Sequence, residues 1–193
     1  MTDAPRRPRH PRDRALTRRQ ILDAAEQLLA AHGTAVSIAA VAVKAGVSKS
    51  GLLHHFPSRD ALLVAVADRG LRTLVTEVDQ QIDPADASPG RGTRAYVSAL
   101  CGGSAAAAAV FSPTSLLNAL LDAPGTKALL QADAEYWRRF FADDGLPAAR
   151  YLVIRHAAEG LAASSAVTPY LTADELNVAR DALLDLTRSD PST

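Results

Sequence analysis

The chain has one cysteine, Cys101, among 193 residues. A single thiol cannot close an intramolecular disulfide, nor supply the several thiolates of a structural zinc site. Such a chain fits a reducing cytoplasm. Aromatic residues make up only 5%, and no stretch alternates apolar with polar β-branched residues, so the usual strand signal is missing. The longest apolar run, around Ala105–Phe111, is far too short to cross a bilayer. The Arg- and Pro-rich N-terminus has no apolar core and is not a signal peptide. These absences lead to the expectation of a soluble, cytoplasmic protein without a membrane partner. Catalytic signatures are missing as well: there is no G-x-S-x-G elbow, no phosphate-cradling glycine loop and no H-E-x-x-H. His10, His32 and His156 are scattered. His54 and His55 are adjacent, so on a helix they diverge by about 100° and cannot share a metal. No enzyme activity, metal or cofactor is expected.

Net charge is also absent, since 21 Lys/Arg balance 21 Asp/Glu. The balance hides an asymmetry. Residues 1–60 hold ten basic and five acidic side chains, a net of +5, and the remainder carries −5. A basic front and an acidic back suggest that only the front approaches phosphate.

What is present is apolar residues, 48% of the chain, spaced for helices. Residues 1–16 carry Arg6, Arg7, Arg9, Arg12 and Arg14 between Pro5, Pro8 and Pro11, a flexible basic arm by composition. It reads equally as a solubilising tail or as an arm that follows a nucleic-acid backbone or enters an adjacent minor groove. Thr17 and Gln20 form a capping box for a first helix. Its face is Ile21, Ala24, Ala25, Leu28 and Leu29, and Gly33 ends it. Ser37 caps a second helix, Gly46 breaks it, and Ser48 caps a third. Ser58 caps a long helix to about Ile82. After a loop at 84–92, five more helices are expected. They run from Thr93 to Val110, from Pro113 (capped by Ser112) to Asp122, from Thr126 to Phe141, from Pro147 to Val167, and from the Thr172/Glu175 capping box to Thr187. Residues 189–193 read as a frayed tail. The expectation is an all-α chain of about nine helices.

Ser37–Phe56 has the pattern of a helix-turn-helix, whose second helix lies in the DNA major groove. On that helix Leu52 and Phe56 share the inward face. Lys49, Ser50, Leu53 and His54 point away from it, and His55 lies at the flank. An ammonium, a hydroxyl, an aliphatic group and an imidazole can meet phosphates, base edges and a thymine methyl. The bland alternative for Leu53 is packing against another element. Gly51 lets the helix approach the backbone closely.

The stretch Ser48-Lys49-Ser50-Gly51-Leu52-Leu53-His54-His55-Phe56, followed by Pro57 to Leu63, resembles the signature of the tetracycline-repressor (TetR) family. Ile21 to Ala25, and Gly33 before Ser37, match as well, so the resemblance covers about residues 17–65. It implies a DNA-binding head at 17–60 and an effector-binding and dimerisation body at 61–188. It further implies that Ser37, His55 and Arg59 hold phosphates, that Ser50, Gly51, Leu53 and His54 lie nearest the bases, and that Lys49, beside Ser48, lies at the groove edge. Two features depart from the usual pattern. Leu53 and His54 stand where aromatics are common, and Gly51 where threonine is frequent. No relative's operator sequence therefore transfers.

The resemblance also implies two-fold dimers on near-palindromic DNA and a small-molecule effector. The last two helices suit an interface, through small residues such as Ala157, Ala158, Gly160, Ala162 and Ala163, with Leu176, Leu183, Leu184 and Leu186 as bulk; an intramolecular hairpin is the alternative. Pocket candidates are Tyr96, Cys101, Phe111, Asn118, Trp137, Phe141 and Arg155, although core packing accounts for each taken singly. The resulting expectation is a ligand-released repressor. The alternative is a small-molecule-binding or interaction protein with a vestigial DNA-binding head.

Overall fold

The computed structural model describes residues 11–111, 115–166 and 170–188. Among them are ten helices and no strand. They form two compact units, Met1–Val66 and Ala67–Thr193.

The first unit contains α1 (Pro11–His32), α2 (Ile38–Lys44), α3 (Lys49–His55) and the start of α4 (Arg59–Gln80). Helix α1 begins earlier than the sequence suggests. Proline is tolerated in a first turn, where its missing N–H has no intrahelical partner. Thr17 then lies inside the helix, and its hydroxyl donates to the Asp13 carbonyl at 2.8 Å instead of capping. Most of the expected basic arm lies outside the described residues. The predicted apolar faces converge as expected: Ile21, Ala25, Val41, Ala42 and Leu52 are all buried. Helix α2 packs on both α1 and α3. Ser58 caps α4 by accepting from the Ala61 N–H at 3.0 Å.

The second unit is organised around α5 (Arg91–Cys101), which packs against α9 (Ala148–Ser165) and α10 (Ala173–Arg188). Nearly every residue of α5 is buried. The expected helix 93–110 is broken at Gly102-Gly103, and α6 (Ala105–Phe111) follows as a separate piece. Gly103 sits at φ 82°, in the left-handed region. A Cβ on Gly102 would lie 2.5 Å from the Ser98 carbonyl oxygen. Ser104 then restarts the helix, accepting from the Ala107 N–H at 2.9 Å. The paired glycines therefore end a helix; they do not merely weaken one. Next comes the short α7 (Leu116–Ala119), capped by Ser115, while the start expected at Ser112-Pro113 lies outside the described residues. Helix α8 (Thr126–Ala142) carries the aromatic cluster. The Thr172/Glu175 capping box before α10 forms in full, with reciprocal bonds of 2.9 and 3.2 Å. The expected tail at 189–193 falls outside the described residues. Among these residues no single helix is long and apolar enough to cross a membrane.

Candidate nucleic-acid interface and ligand cavity

The turn between α2 and α3 is fixed by its backbone. The Gly46 N–H donates to the Val43 carbonyl at 3.1 Å and the Val47 N–H to that of Ala42 at 3.0 Å. This pair closes a helix through a left-handed residue, and Gly46 supplies it with φ 66°. Ser48 starts α3 by accepting from the Gly51 N–H at 3.0 Å. Leu52 and Phe56 are buried in the head, while Lys49, Ser50, Leu53 and His54 are exposed on the other side. Leu53 keeps 36% of its surface in water, whereas Leu52 beside it keeps 0%. The Ser50 hydroxyl lies 3.1 Å from that of Ser48. A Cβ on Gly51 would come 3.0 Å from the Ser48 oxygen, so the glycine makes room for the cap. Ser37 caps α2 through the Ala40 N–H at 3.1 Å, an interaction in which its hydroxyl accepts and keeps its own proton to donate. His55 is half-buried, its ring edge-on to His54 at 5.8 Å.

Arg59 is placed differently from the expectation of a phosphate clamp. Its Nε donates to the Val36 carbonyl at 2.9 Å, and Nη2 donates to that of Thr34. The guanidinium thus ties the start of α4 to the α1–α2 loop. Two other cations share a groove with the end of α3. Arg14 and Arg18 line a groove of about 410 Å³ with His54, His55 and Pro57, and Arg18 lies 4.3 Å over the Phe56 ring. Their i, i+4 spacing was the available signal. Arg14 was read as part of the basic arm, whereas it stands on α1, and Arg18 was not singled out.

In the second unit, a cavity of about 190 Å³ is lined by five predicted residues, Tyr96, Phe111, Asn118, Trp137 and Arg155. Cys101 and Phe141 do not line it. Cys101 is packed in the core, where burial pushes its thiol up to about 11. Phe141 is wedged between Tyr96 at 5.0 Å and Tyr151 at 5.6 Å. Gly102-Gly103 borders a separate open hollow with Glu77, Ser104 and Arg180. The residue missed at the cavity is Asp133, one helical turn before Trp137 on α8. Burial pushes its carboxyl above the usual range, opposed by a hydrogen bond from the Trp137 indole. Behind the wall, Glu159 accepts from the Tyr96 hydroxyl at 3.0 Å and from Arg155 Nε at 2.7 Å. Burial, then the Glu159 charge, holds the Tyr96 phenol well above its ordinary range. The other Glu159 oxygen meets His156 Nδ1 at 3.0 Å, and that imidazole is largely exposed.

Most of the small-residue face of α9 is used within the chain. Ala158 and Ala162 are buried in the core, as is Leu183 of α10, with Leu176 and Leu184 packed against it. A stripe that includes the predicted Gly160 and Leu186 remains outside: Leu152, Val153, His156 and Gly160 on α9, and Val178, Ala182 and Leu186 on α10.

Comparison with known proteins bears on both units. Residues 21–66 match the model for bacterial regulatory proteins of the tetR family, and residues 90–188 match that for a tetracyclin repressor-like C-terminal domain. Among solved structures, a transcriptional regulator from Rhodococcus sp. Rha1 is 19% identical, with a TM-score of 0.69 over 88% of this chain and 95% of its own. A TetR transcription regulator from Haloarcula marismortui is 15% identical, with a TM-score of 0.68 over 90% and 97%. The multidrug binding protein EbrR, complexed with imidazole, is 24% identical, with a TM-score of 0.64 over 98% and 100%. At such identities the likeness is one of fold. No curated protein matches the sequence.

Proposed function

The chain belongs to the tetR family of bacterial regulatory proteins, and from that premise we propose a dimeric repressor released from a near-palindromic operator by a small effector. DNA-binding transcriptional regulation is the function of the family. The particular mode is our reading. The observation that carries it is the two-sided α3, with Leu52 and Phe56 buried and Lys49, Ser50, Leu53 and His54 in water. An exposed leucine among polar groups on a groove-sized helix suits a thymine methyl. Lys49, Ser37, Arg14 and Arg18 stand as the phosphate-binding groups, and His55 flanks them.

Two copies joined through the outward stripe of α9 and α10 would present two reading helices to two half-sites. The effector would bind in the 190 Å³ cavity, whose wall includes Leu71 and Leu74 of α4, the helix that starts at Arg59 in the head. A ligand that favours one position of α4 over another shifts the DNA-competent population only by its differential affinity for the two.

Selection from a random DNA pool tests the reading. A repressor of this kind enriches one near-palindromic site, and its affinity falls steeply with salt as counterions are released. Weak, sequence-blind binding would overturn it in favour of a ligand-binding protein with a vestigial head.

A further inference from the structure

Two carboxylates and one guanidinium stand at or just behind the cavity of the second unit. Arg155 Nε lies 2.7 Å from Glu159 Oε1, and the Tyr96 hydroxyl donates to that same oxygen at 3.0 Å. The guanidinium also sits 5.4 Å from the centre of the Phe141 ring. Its charge is therefore matched inside the protein, and an anionic ligand would also face a second carboxylate. That second carboxylate, Asp133, lines the cavity itself, among Leu71, Leu74, Leu130 and Trp137. A carboxylate in such surroundings has lost much of its hydration, and an opposite charge placed beside it restores favourable electrostatics. The displaced carboxyl titration described above agrees with that environment. At about 190 Å³ the space is smaller than the roughly 300 Å³ at which drug-sized sites begin. A molecule of one ring with one charged group suits it.

We propose that the cavity takes a compact, monovalent organic cation, an aryl or alkyl amine or amidine, whose charged group pairs with Asp133 while its apolar part lies on Trp137 and the leucines. This deepens the effector reading above and rests on it for biological meaning, but the binding step stands by itself.

Trp137 is the only tryptophan in the chain and lines the cavity, so its fluorescence reports occupancy without DNA. Benzamidine, benzamide and benzoate share a ring and differ in charge at pH 7. Titrated into the full chain, benzamidine is expected to bind at least about tenfold more tightly than either analogue, a discrimination of the size a desolvated ion pair provides. Asp133→Asn should bring the three within about threefold of one another, and Asp133→Glu should restore the preference. Benzoate or benzamide binding as well as benzamidine overturns the proposal. So does the absence of any saturable change with benzamidine below about 10 mM, a limit weaker than millimolar affinity. The wild-type comparison decides even if a variant fails to fold. A parallel titration of operator binding separates the two ideas: cation binding with unchanged DNA affinity leaves this site standing and removes the release mechanism. DNA released by benzoate alone does the reverse.

Discussion

Leu53 and Arg59 show how far a side chain's identity can be separated from its task. Both were assigned to DNA by position, and the structure treats them differently. Leu53 stays in water on the reading side of α3. Replacing it with alanine should relax base preference at one position of each half-site while leaving the salt dependence of affinity unchanged, because no phosphate contact is lost. Competition between the selected site and its single-base variants measures this, and an unchanged preference would place Leu53 away from the bases. Arg59 spends two donors on the Val36 and Thr34 carbonyls. Arg59→Ala should therefore destabilise the head by about 1–2 kcal/mol, since the carbonyl of buried Val36 loses its partner while that of exposed Thr34 can turn to water. Loss of affinity alike at all sites, with no change in thermal melting, would return Arg59 to the role of phosphate clamp.

At the scale of the element, helix α5 depends on a residue distant in the chain. Its N-cap, Gly90, offers no side chain. The Asp144 carboxylate, from the α8–α9 loop, accepts instead from the Gly92 N–H at 2.6 Å, the Thr93 N–H at 2.8 Å and the Thr93 hydroxyl at 2.6 Å. The negative charge also lies at the positive end of the helix. Gly92 must stay small, because a Cβ there would lie 2.9 Å from the Phe140 ring and 3.0 Å from Asp144 Oδ1. Asp144→Ala should cost the second unit about 2–3 kcal/mol, the worth of charge-assisted bonds whose buried donors are then left unpaired. Urea unfolding followed by Trp137 fluorescence reads this directly, and an unmoved midpoint would show that water replaces the carboxylate. The local caps were different. Ser37, Ser48, Ser58 and the Thr172/Glu175 box all formed as read, since a cap involves partners within three residues.

For the whole molecule, the neutral chain contains a basic head, and the proposed dimer would pair two heads through the outward stripe of α9 and α10. Val153 is 64% and Val178 71% exposed, an apolar face left uncovered among the described residues. Val153→Glu together with Val178→Glu should yield monomers by sedimentation. Operator affinity should fall by about 10² or more, as the second head no longer binds within the same complex. A dimer that survives both changes would move the interface elsewhere.

The amino-acid order alone determined most of what depends on neighbours within a turn or two: the all-helical class, the caps at Ser37, Ser48, Ser58 and Thr172, the Gly46 turn, and the inward and outward faces of α3. These follow from periods of 3.6 residues and hydrogen bonds of short reach. It also marked five of the cavity residues, because aromatic and polar groups in otherwise Ala- and Leu-rich helices stand out. Only the tertiary structure decided matters that depend on residues far apart. It turned Arg59 toward a loop, withdrew Cys101 and Phe141 into the core, and placed Asp133 among Leu71 and Leu74 at the cavity. It also buried Ala158 and Ala162 of α9 within the chain and left Gly160 and Leu186 outside. Burial and charge pairing belong to the neighbours a residue acquires in space, and no local pattern in the sequence encodes those.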